Sequence, residues 1–99
     1  MSPEAIQIIV DSYVKRAQSI MKDAETGASV STVDIKFAQL AKVLKSERIP
    51  ELKVKVWAEI SEHIIKPNDF RNGAVTRGIR LMKTHFQPVI LEVFGVPNY

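Results

Sequence analysis

Arg77, Arg80 and Lys83 follow one another at three-residue intervals, and Arg71 precedes them by a turn or two. At that spacing Arg77 and Arg80 share one face of a helix, and Lys83 extends the row toward its apolar edge. The chemistry of such a row is anion binding. Guanidinium forks donate paired hydrogen bonds to phosphate or carboxylate oxygens, and free N–H groups at a helix start can add to them. Nucleic-acid backbones present phosphates densely enough to reward it. No acidic side chain lies between Asp69 and Glu92. The competing reading is a solvated helix face whose cations pair with acids from neighbouring helices.

Charge is distributed to match. The formal net charge is +3. Residues 1–25 carry a balance of −1, residues 26–65 of +1, and residues 66–99 of +3. The C-terminal third therefore accounts for the whole excess. Such asymmetry bears on partners rather than on fold.

Other reactive residue types are sparse. Glu59 and His63 stand four apart, with Glu62 beside His63. That spacing suits a carboxylate-oriented base or half of a metal site, and it equally suits a helix-surface pair. No second histidine or cysteine stands nearby to complete a metal site. His85, between Thr84 and Phe86, has no such neighbour. Gly27, Gly73, Gly78 and Gly95 are scattered and form no phosphate loop, and no serine sits in a nucleophile elbow. The expectation is therefore no catalytic residue, no metal, no cofactor and no small-molecule substrate. Absent cysteines exclude a disulfide framework and thiolate ligation.

The elements that must hold the basic row are helical. Residues 3–23 carry Ile6, Ile9, Val10, Tyr13, Val14, Ala17, Ile20 and Met21 at i, i+3, i+4, i+7 spacing, followed by Ala24. Ser2 is the expected cap, Pro3 suits the first turn, and Glu4 complements the dipole. Ile8 falls on the polar side. A loop over 25–31 precedes a second helix beginning near Ser31 or Thr32, with Val33, Phe37, Leu40, Ala41 and Leu44 as its stripe. It should end near Arg48, because Ile49 precedes Pro50. Pro50 opens a third helix. Its apolar residues, from Leu52 through Trp57 to Ile65, cover a wide arc, which predicts the central position in the bundle. Alternation over 53–57 could suit a strand, but the residues that follow continue at helical period. Trp57 is expected in the core. Pro67 should end this helix.

The fourth helix covers about 74–86, with Val75, Ile79, Met82 and Phe86 inward and Arg77, Arg80, Thr84 and Gln87 outward. Pro88 should kink or end it, leaving 89–94 as a short terminal helix stopped by Gly95 and Pro97. A helix-turn-helix reading of the second and third helices is weak: the turn has no glycine, and the third helix is too apolar to lie in a groove.

The fold class is all-α, a compact bundle of four main helices plus a short C-terminal helix after Pro88, in a single domain over 1–99. Glu4 and Asp11 interrupt any N-terminal signal-like run, and no stretch is long enough to span a bilayer, which predicts a soluble intracellular or cytoplasmic protein. Two non-enzymatic functions fit. In one, the protein binds nucleic acid through phosphate contacts from Arg71, Arg77, Arg80 and Lys83, with low sequence specificity. In the other it is an adaptor or homo-oligomeric assembly subunit. Ile8, Val43 and the apolar tail over 89–96 have no obvious internal stripe to join and would mark its interface.

Overall fold

The helix α1, Pro3–Glu25, starts where its cap chemistry requires. Ser2 Oγ accepts the Ala5 N–H at 3.1 Å, and Pro3 occupies the first turn, where a missing donor costs nothing. The structure, a computed structural model, describes residues 1–68 and 73–96, and no strand occurs among them. Thr26 closes α1 with two hydrogen bonds to the Lys22 carbonyl, from its N–H and its hydroxyl, both 2.9 Å.

Helix α2, Val30–Ser46, begins earlier than its sequence suggests. Of the clustered hydroxyls, Ser29 is the cap, accepting from the Thr32 N–H at 3.1 Å. It also ends earlier. Glu47 is already extended, and the Ser46 hydroxyl donates to the Val43 carbonyl at 2.6 Å. The Lys53 ammonium donates to the Lys45 carbonyl at 3.1 Å, satisfying one acceptor left free at this helix end.

Helix α3, Pro50–Ile60, keeps the expected start at Pro50. Its α-helical geometry stops before Pro67. The chain widens into a π turn, Ser61–Ile65, and then tightens into a 3-10 turn, Lys66–Asn68. Proline has no N–H to offer the ladder. The Asn68 side chain instead donates to the Ile64 carbonyl at 2.7 Å.

Helix α4, Ala74–Val93, runs through Pro88. The segment after Pro88 is helical as expected, but it is the last part of α4 and not a separate element. A proline inside a helix costs about 3 kcal/mol. Val89 and Ile90 are both buried, and burial worth about 1.5–3 kcal/mol each can offset that cost. The apolar tail is thus divided: Val89 and Ile90 join the core, whereas Leu91, Phe94 and Val96 are exposed.

The helices share one core. The Cα radius of gyration of the chain is 13.2 Å, close to the ~13 Å of a compact chain of this length. Helices α1 and α4 each pack on all the other helices. Helices α2 and α3 pack on α1 and α4 but scarcely on each other. This corrects the central position expected for α3. Its α-helical part buries only Leu52, Val56 and Ile60, Ile64 is buried from the π turn, and Val54, Trp57 and Ile65 are half-buried at the margin.

Helix directions follow from the cross-contacts. Lys36 pairs with Asp23 at 2.8 Å, so α1 and α2 are antiparallel neighbours. Asp34 meets His85 at 2.7 Å, while Lys45 and Glu92 line one groove further along, so α2 and α4 run parallel. Phe86 binds the set together. Its ring lies edge-on to Phe37 of α2 at 6.3 Å and to Trp57 of α3 at 6.1 Å. Phe86→Ala should cost about 3–5 kcal/mol, and Trp57→Ala, at the core margin, should fall at or below the low end of that range. Urea denaturation of the two variants checks the order.

Helix α4 approaches α1 at Gly78. A Cβ there would lie 2.9 Å from Met21 Sδ and 3.1 Å from its Cε. Only a flexible side-chain tip obstructs an alanine, which also gains about 1 kcal/mol of helix propensity. Gly78→Ala should therefore change stability little. Gly78→Leu should destabilise by about 1–3 kcal/mol through overpacking. Thermal unfolding of both variants tests this, and equal stability of the two would contradict the close approach.

Candidate nucleic-acid interface

The inward stripe of α4 is Val75, Gly78, Ile79, Met82, Phe86, Val89 and Ile90. With that face sealed, the opposite face must carry Arg77, Arg80, Thr84 and Gln87, and all four are exposed. Lys83 is half-buried at one edge, as its register requires. Arg71, the remaining member of the expected row, lies outside the described residues.

The three described cations do not line one cleft. Arg80 and Lys83 border a shallow, open depression of about 210 Å³ with Asn68, Thr76 and Ile79, beside the 3-10 turn. Arg77 lies on the other flank, with Ala28, Val30, Ala74 and Leu81, near the start of α2. The cations stand on an open outer face of α4, a basic ridge between these two depressions. Such a shape suits a polyanion that lies along it better than a small anion that must be enclosed.

Among the described residues, acids leave Arg77, Arg80 and Lys83 without an ion pair. Several acids are engaged elsewhere: Asp23 with Lys36, Glu62 with Lys66 at 3.7 Å, Asp34 with His85, and Glu59 with His63 at 3.0 Å. Asp11 accepts from Gln7 at 2.7 Å. Glu47 accepts from the Tyr13 hydroxyl at 3.2 Å.

The histidines are partners of carboxylates on two separate surfaces. His63 stands on the π turn and meets Glu59, the pair that the spacing suggested. His85 reaches Asp34 across the α2–α4 contact, a pair that no local spacing signals. No group of three metal-ligating side chains occurs among the described residues.

Lys53, on the helix that a helix-turn-helix would use for recognition, is occupied with the end of α2. Among the expected surface apolar residues, Ile8 and Val43 are exposed. Leu91 and Phe94 extend the outer face of α4 beyond Gln87, and Phe94 is 65% exposed.

One titration is strongly shifted, away from the ridge. Burial, followed by the Glu47 carboxylate, pushes the Tyr13 phenol up to about 12, while Arg16, whose guanidinium lies 5.9 Å from the ring centroid, opposes the shift. The folded state thus holds its proton more tightly than the unfolded chain. Tyr13 contributes this stability fully below its ordinary value of 10.0, and the contribution is lost as pH rises toward about 12. Ultraviolet titration should show one of the two tyrosines ionising near 12. Tyr13→Phe should remove that step, and denaturant should return it to about 10.

Comparison with protein-family models, with curated proteins and with solved structures returns no match.

Proposed function

We propose that the protein is a small, non-enzymatic nucleic-acid-binding protein that contacts the phosphate backbone through the outer face of α4. The observation that carries this reading is the exposure of Arg77 and Arg80 with no carboxylate among the described residues beside them. Lys83 extends the same positive field at the edge of the ridge. Arg71 belongs to the proposed set by its place in the sequence.

Such a surface binds by replacing counterions condensed on the polyanion. Among the described residues the outer face of α4 offers no row of asparagine or glutamine for base edges; Gln87 is the one amide along it. Affinity should depend weakly on sequence and fall steeply with added salt. The double substitution Arg77→Gln/Arg80→Gln should weaken binding across all sequences and reduce the log–log salt slope by about 1–2. Its fold should persist, since both side chains leave the core untouched. Titration of a labelled oligonucleotide at several salt concentrations measures both effects. Absence of binding by the unaltered protein at low salt would overturn the reading.

A second reading, an adaptor or self-assembling subunit, draws support from the exposed Leu91, Phe94 and Val96. Large apolar side chains grouped at one end of a helix are a usual mark of a protein contact. Light scattering of the pure protein, with and without an oligonucleotide, separates the two.

A further inference from the structure

We infer that the outer face of α4 is a track for single-stranded nucleic acid, with Phe94 as a base-stacking platform at its far end. The inference rests on the nucleic-acid reading above and specifies its ligand.

Register supplies the first argument. At about 100° per residue, Arg80, Thr84, Gln87 and Leu91 fall within roughly 40° of one line along α4, and Arg77 and Phe94 flank that line. Arg77, Arg80, Thr84, Gln87, Leu91 and Phe94 are all exposed. Glu92, the one acid in this part of the chain, points off the line into the α2–α4 groove, where Lys42 and Lys45 also lie. A strand could follow this crest from cation to aromatic without meeting a carboxylate.

Phe94 is also held in place. Its N–H donates to the Leu91 carbonyl at 3.1 Å, and the Val96 N–H donates to the same carbonyl at 3.0 Å. Gly95 adopts φ 74° and donates to the Glu92 carbonyl at 3.0 Å. This closed turn fixes the backbone that carries an exposed ring. The face of an aromatic ring suits the face of any base, so it adds affinity with little sequence preference.

Duplexes fit this surface poorly. Their base faces are already stacked and cannot reach Phe94. Helix α4 is packed on α1, α2 and α3, so it presents a stripe, whereas a groove-reading helix must project from its domain. Arg80 and Phe94 are about 21 Å apart along the axis at about 1.5 Å per residue. At about 3.4 Å per stacked nucleotide, that distance spans about six nucleotides.

The test is fluorescence anisotropy with labelled single-stranded DNA, single-stranded RNA and a duplex of equal length. Wild type should prefer a single strand of either sugar over the duplex. Phe94→Ala should weaken single-strand binding about 5- to 100-fold, the loss of about one stacked base, without changing the salt slope. Phe94→Trp should retain binding, and Phe94→Leu should not, which separates stacking from simple apolar contact. Circular dichroism should show all three variants folded, because the ring is exposed. Equal or tighter duplex binding, or unchanged affinity in Phe94→Ala, overturns the inference while the phosphate reading stands. Loss of self-association in Phe94→Ala with unaltered affinity also overturns it, and assigns the ring to a second copy of the chain. No binding of any oligonucleotide removes the nucleic-acid reading itself.

Discussion

The edge-on packing of Phe86 against Phe37 and Trp57 sets the rotation of α4 about its own axis. Phe86 is fully buried and touches rings from both flanking helices. Turning α4 would pull this ring from between its partners and would bring Arg77 or Arg80 toward an apolar interior. Burying an unpaired guanidinium costs far more than aromatic packing returns. Core and surface therefore enforce the same register. The exposed basic crest is the outer consequence of an inner aromatic contact, and Gly78 adds to it by letting α4 sit close to α1.

Much of this was legible in the sequence where periodicity and local caps agree. In α1 the expected stripe is the observed buried face, with Ile9 alone half-buried. In α2 the stripe of Val33, Phe37, Leu40, Ala41 and Leu44 is the whole buried set. The outward direction of Arg77 and Arg80 follows from the same arithmetic on α4. These features depend on residues three and four apart, and short-range order is what a single sequence records most clearly.

The rest depended on partners distant in sequence. Pro88 carries a strong local stop signal, but the burial of Val89 and Ile90 outweighs it. The start of α2 had several hydroxyls to choose from, and only the placement of the first turn selects Ser29. The wide apolar arc of α3 suggested a centre, yet a short helix between α1 and α4 spends part of that arc at a margin. His85 and Asp34 are 51 residues apart, so their contact has no local trace. Phe94 was grouped with an apolar tail over 89–96 that had no obvious internal stripe to join and would mark an interface. The division of that tail into buried Val89 and Ile90 and exposed Phe94 emerges only once α4 is continuous.

Parallel pairing of α2 and α4 also shapes the order of assembly. Antiparallel α1 and α2 are joined by a short connection, so their contacts can form early from chain already close together. Parallel neighbours cannot be joined that way, and here α3 and its two turns serve as the crossover. The α2–α4 contacts, such as Asp34 with His85, must therefore close a loop of about 50 residues before any of their packing is gained. Local helical spacing can align Arg77 and Arg80 before that closure, but only docking against α2 seals the opposite face of α4. The fixed orientation of the basic crest thus depends on long-range closure rather than on local structure alone.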